Sequence, residues 1–197
     1  MRIALVGSTG TIGAAVAEAL SLRHEVISIG NSRGDYRVDL ASPPSIRALF
    51  QKLGTIDAVV CTAGQAKFGP LAQLTSSDFE VGLHNKLMGQ VHLVRYGMEH
   101  VSDGGSFTLT SGILSRHPMP GSTAISLVNG ALESFVRAAA LEMPRAVRIN
   151  VVSPGWVSET LAAMGRNPAE GTPAADVAKD YTASVEGAAT GIVFGPS

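Results

Sequence analysis

Residues 2–13 read R-I-A-L-V-G-S-T-G-T-I-G, and this stretch constrains the chain more than any other. Ile3, Ala4, Leu5 and Val6 form a short apolar run, the pattern of a strand buried on both faces of a parallel sheet. Gly7, Gly10 and Gly13 follow at three-residue spacing, and Ile12, Val16, Ala19 and Leu20 then repeat at helical period. A strand, a glycine turn and a helix in this order suit a dinucleotide site. One glycine allows the tight turn, another lets backbone approach a pyrophosphate, and the helix N-terminus supplies free N–H groups. Gly7, Ser8, Thr9, Gly10, Thr11, Ile12 and Gly13 are therefore the first cofactor-binding candidates.

The rest of the chain alternates. Strands are expected at residues 24–30, 56–61, 105–110, 147–152 and 191–194. Helices are expected at 43–53, 77–100 and 123–142, the last two with Phe79, Leu83, Leu87, Val91 and Val94, and Ile125, Val128, Leu132, Phe135 and Ala139, in register. This alternation implies an α/β doubly wound parallel sheet (a Rossmann fold), with 1–197 as a single domain. Ligands of such sheets bind beyond the carboxyl ends of the strands, so the loops after Val6, Ile29, Cys61, Thr110 and Val152 are the ones to read.

Composition narrows the partners. A net charge of −1 and only 16% charged residues argue against nucleic acid or an anionic membrane surface. The single Cys61 sits in an apolar run and makes neither a disulfide pair nor a metal site. With no secretory pattern and no long apolar span, the expectation is a cytoplasmic protein acting on a small molecule. Surplus apolar residues on the two long helices lead us to expect a homodimer or homotetramer.

The second strand ends in Gly30-Asn31-Ser32-Arg33, with no acidic residue at its tip. Arg33, with Asn31 and Ser32 beside it, can fork onto a ribose 2′-phosphate, which favours NADP (NADPH). The alternatives are that Arg33 is a solvated turn residue, or that Asp35 is the ribose ligand of an NAD site.

Across nearly its whole length the chain resembles the short-chain dehydrogenase/reductase family. The glycine turn resembles that family's motif, with Thr11 in place of the middle glycine. Val38-Asp39-Leu40 resembles its adenine-contacting segment, and Thr62-Ala63-Gly64 the end of its Asn-Asn-Ala-Gly motif. Thr110-Ser111 matches the position of its active-site serine, and Ser153-Pro154-Gly155-Trp156-Val157 the segment against the nicotinamide. The resemblance implies that Asp39, Leu40, Ala63, Gly64, Pro154, Gly155 and Val157 bind cofactor and that Ser111 is catalytic.

The family's Tyr-x-x-x-Lys pair is missing. Its tyrosine position falls at Ile125 and its lysine position at Asn129, which the resemblance leaves as a cofactor hydroxyl partner. The family's helix-borne asparagine falls at Lys86, which joins Ser111 as a catalytic candidate. His117 is a further candidate donor, the alternative being an exposed loop histidine. Residues 156–176 are a short, glycine- and proline-broken lid. The sequence thus implies an NADP-dependent oxidoreductase for a small carbonyl-like substrate, with a non-standard site. The alternative is a catalytically impaired NADP(H)-binding sensor.

Overall fold

In the computed structural model, which describes residues 1–196, Arg2–Val6 (β1), Glu25–Gly30 (β2), Tyr36–Arg37 (β3), Ile56–Cys61 (β4), Val101–Thr110 (β5), Arg148–Val152 (β6) and Val193–Phe194 (β7) pair in parallel throughout. Their order is β3-β2-β1-β4-β5-β6-β7, a doubly wound sheet as expected. The chain steps outward from β1 to β3 and then crosses back to lay β4 against β1. The order therefore reverses between β1 and β4, where a crevice opens at the strand tips.

Helices cover both faces. Pro43–Leu53 (α2), Met88–Gly97 (α4) and Thr123–Ala139 (α5) bury Ile46, Phe50, Leu93, Leu132 and Val136 against one face. Thr11–Ser21 (α1) and Ala174–Glu186 (α7) bury Val16, Leu20, Val177, Tyr181 and Val185 against the other. Helix α7 was not expected, although Ala174, Val177, Ala178, Tyr181 and Val185 carry a plain helical period behind Pro173. Strand β3, too short for any pattern, was also missed.

The long helix expected over 77–100 is not one α-helix. Ser76–Val81 (α3), capped by Thr75 and Asp78, runs into a π-helical segment, Gly82–Leu87, before α4. A π turn carries an extra residue, so side chains beyond it shift out of 3.6-residue register. The buried residues past it are Gly89, Gln90, Leu93, Val94 and Gly97, while Leu87 and Val91 remain only half-buried. The segment is anchored by Gln90, whose amide donates to the carbonyls of Lys86 at 3.1 Å and Thr110 at 2.9 Å and accepts from the Thr110 amide at 2.8 Å. Strand β5 begins at Val101 rather than at 105, with its register against β4 shifting between Ile56 and Ala58. Helix α5 stops at Ala139, before left-handed Arg145 and Ala146. Among the described residues no helix is long and apolar enough to cross a membrane.

Candidate functional site

Gly7 turns the chain out of β1 at φ 90°, a conformation that favours glycine. Its amide donates to Ile29 O at 2.7 Å, and its carbonyl accepts from Gly10 N at 3.0 Å. Gly10 caps α1, and Gly13 lies directly beneath the turn, where a Cβ would stand 2.0 Å from Gly7 O. Ser8 Oγ is turned into β2, 2.6 Å from Ser28 Oγ. Thr11 is exposed at the helix start.

Two cavities open at the strand tips and share Thr62, which is bound to Val6 O through its amide and hydroxyl. The first, about 570 Å³, is lined by Gly7, Thr9, Gly10, Asn31, Asp39, Leu40, Ala63 and Gly64, with Gln65 and Asn85 at its edge. The second, about 600 Å³, takes in Ile12, Lys86, Ser111, Asn129, Pro154 and Gly155, with Ile125 and Trp156 in its wall.

Several candidates stand apart. Ser32 and Arg33 are exposed, beyond the Asn31 wall of the first cavity. The Asp35 carboxylate accepts the Ser28 amide at 2.9 Å, so it is tied to β2 and not presented to a ribose. His117 is exposed and outside the cavity lining. Val157, the N-cap of Ser158–Ala163 (α6), is buried in the core cluster with Val177 and lines neither cavity. The segment expected as a broken lid carries helix α6 and a 3-10 turn and is tied back to the fold. Val157 bridges Thr172, Thr172 N donates to Trp156 O at 2.8 Å, and the Glu159 carboxylate accepts Ala174 N at the start of α7.

The chemistry gathers where the π turn meets β5 and α5. The Lys86 stem passes over Gly64, where a Cβ would lie 2.8 Å from Lys86 Cγ. Its Nζ donates to Ser111 O at 3.0 Å. Burial pushes the Lys86 ammonium down to about 8. Burial also pushes the Cys61 thiol up, to about 12, which keeps it protonated and unreactive.

Ser111 Oγ donates to Glu133 Oε1 at 3.1 Å, and Ser115 Oγ donates to the same oxygen at 2.6 Å. Glu133 is buried, with Arg137 Nη2 3.6 Å from its other oxygen. Glu133 was not a candidate from its sequence position; a carboxylate on the inner face of α5 was the available signal. Asn129 Nδ2 donates to Gly112 O at 3.3 Å, while its buried Oδ1 has no partner. Tyr181 is fully buried on Thr110 Oγ1 at 2.6 Å and reaches neither cavity.

These features fit a dinucleotide. Two cavities that share Thr62 flank a glycine turn on a helix start, and Asn129, which lines the inner one, has a buried Oδ1 without a partner. The fold and cleft define a nucleotide-binding α/β protein of the doubly wound class. A family model described as enoyl-(acyl carrier protein) reductase matches residues 10–184. The chain belongs to the short-chain dehydrogenase/reductase family, whose members are NAD(P)-dependent oxidoreductases.

Similarity extends to solved structures. The protein lin1944 from Listeria innocua is 39% identical, superposes with a TM-score of 0.95 and is covered completely, as is this chain. A small-chain dehydrogenase in complex with NADPH is 25% identical at a TM-score of 0.85, over 99% of this chain and 95% of that one. Hydroxynaphthalene reductase arp2 of Aspergillus fumigatus is 27% identical over 76% of this chain but only 56% of its own length. The chain thus spans little more than half of that curated relative.

Proposed function

We propose that the protein is an NADP-dependent oxidoreductase that reduces a small carbonyl-like substrate with Lys86, rather than a tyrosine, as proton donor. The observation that carries this reading is the meeting of Lys86, Ser111 and Asn129 in one cavity whose tyrosine position is the apolar Ile125. When bound, a reduced nicotinamide supplies hydride. Gly7, Gly10 and the start of α1 would hold the pyrophosphate, and the Asn129 amide would meet a ribose hydroxyl. Compared with the family pattern, the lysine and the amide have exchanged helices: the ammonium comes from the π turn and the amide from α5.

Ser111 spends its hydroxyl hydrogen on Glu133, so it faces the cavity as an acceptor. Lys86 is then the group that can give a proton to an oxygen or nitrogen developing negative charge. The NADPH complex of the 25%-identical dehydrogenase supports the choice of NADP, as does the absence of a ribose-directed acid at the tip of β2.

Fluorescence titration tests the cofactor assignment, with NADPH emission and Trp156, the single tryptophan, as reporters. NADPH is expected to bind about tenfold or more tighter than NADH, and Arg33→Ala to erase that preference while sparing NADH binding. Equal affinities would overturn it. A screen over activated carbonyls, imines and quinones tests the chemistry, and Ser111→Ala is expected to lower turnover about tenfold or more.

Ile125 also favours a second reading, an NADP(H)-binding sensor without turnover. Tight NADPH binding with no reduction in any class would select it. The exposed Leu127 on α5 and the half-buried Val91 and Tyr96 on α4 support a homodimer or homotetramer. Light scattering at micromolar concentration is expected to give a mass of two or four chains; a one-chain mass refutes it.

A further inference from the structure

The inner cavity has an outer wall that the reaction does not use. Its lining is mostly apolar (Ile12, Phe68, Met119, Ile125 and Met164 among others), and it carries two charged side chains, Lys86 and Arg166, both positive. Among the described residues no carboxylate lines it. Lys86 sits at the floor, bound to Ser111 O. Arg166 stands at the rim, carried by the loop after α6, with its guanidinium carbon 4.9 Å from the centre of the Trp156 ring.

Stacking on an indole holds a guanidinium in place while leaving its N–H edge free. No side-chain hydrogen bond within the protein uses that edge among the described residues. Its one acidic neighbour, Glu170, is 3.9 Å away and exposed, a contact of little energetic worth. Arg166 is itself 44% exposed, so the rim is open to an incoming ligand. A planar fork with free donors, fixed at the mouth of an apolar cavity that has no negative lining, matches a carboxylate or phosphate bidentately.

We infer that Arg166, positioned by Trp156, selects substrates that join an apolar body to an anionic carboxylate or phosphate at the end remote from the reacting carbonyl. This rests on the reading of the cavity as a substrate site. The apolar lining takes the body, Lys86 meets the reacting end, and the guanidinium meets the anion. The same fork could instead serve the cofactor pyrophosphate, and the experiment separates the two.

The test titrates Trp156 emission, with and without NADP⁺, using hexanoate and its methyl ester, which differ in charge but share the apolar chain. Wild type is expected to bind hexanoate about fivefold or more tighter than the ester. Arg166→Gln is expected to abolish that preference, with Arg166→Lys restoring part of it and Lys86→Met retaining it. NADP⁺ affinity should be the same in wild type and Arg166→Gln. No preference in wild type, or a preference that survives in Arg166→Gln, overturns the inference. A loss of NADP⁺ binding in Arg166→Gln with the hexanoate preference intact also overturns it and assigns the arginine to the cofactor. Because the readout is binding, a protein that shows the preference yet reduces nothing would sustain this inference and remove the oxidoreductase reading alone.

Discussion

Replacing Lys86 with methionine is expected to lower turnover by about 10²–10³-fold while changing NADPH affinity little, because a positioned proton donor contributes on that order. Methionine keeps the unbranched stem that crosses Gly64 and removes only the ammonium. The accompanying signature is in the pH profile. The donor must be protonated, and burial has pushed Lys86 down to about 8. Wild-type activity is therefore expected to be full below that value and to fall as pH rises through it, and the basic limb should vanish in Lys86→Met.

Stability gives an independent check of the same shift. Between about 8 and the ordinary value of 10.5 the unfolded chain holds a proton on Lys86 that the folded chain has lost. Wild-type stability therefore gains a contribution as pH rises through that window, and the methionine variant lacks it. Thermal melts of both proteins across the window measure it. Unchanged turnover in Lys86→Met would exclude this lysine as the donor.

Gly13→Ala is expected to be the most damaging single methyl addition in the cleft. The new Cβ would lie 2.0 Å from Gly7 O, 2.7 Å from Gly7 C and 2.8 Å from Thr62 Oγ1. Two of these are backbone atoms of the turn, held by the Gly10 and Ile29 hydrogen bonds, and cannot yield cheaply. The turn or the helix start must move, and both border the cavities proposed to take the cofactor. The expected result is a loss of about 2–4 kcal/mol of stability, by the cost of overpacking, together with NADPH binding too weak to titrate. Gly130→Ala is the control, because a Cβ there meets nothing within 4 Å. Denaturant melts and the cofactor titration on both variants decide the matter; normal NADPH binding by Gly13→Ala would mean the turn is not the pyrophosphate cradle.

The alternating pattern sufficed for the doubly wound sheet because most elements had a local signature: apolar runs for β1, β4 and β6, prolines in the first turn of α2, glycines at the turn. Where those signatures were interrupted, local reading failed. The π turn at Gly82–Leu87 was missed because Gln90, which anchors it, reaches across to Thr110 on β5, far away in the chain. Helix α7 did carry a helical period, yet its role as the cover of the second sheet face appears only once α1 lies beside it.

The site divides along the same line. The glycine turn, the Ala63-Gly64 approach and the Pro154-Gly155 segment are backbone features, and backbone geometry is encoded by the residue that adopts it. Side-chain partnerships are not. That Ser8 turns to Ser28, that Asp35 is spent on β2, that Glu133 holds Ser111, and that Arg166 lies on Trp156 follow from distances between residues far apart in the chain. By itself the sequence determined the fold class, the strand–turn–helix of the cofactor site and the loss of the tyrosine and lysine pair. Only the tertiary structure decided what the remaining candidates face, Lys86 on Ser111 O and Ser111 on Glu133 in one cavity, because the partners and burial of a side chain are set by packing among elements.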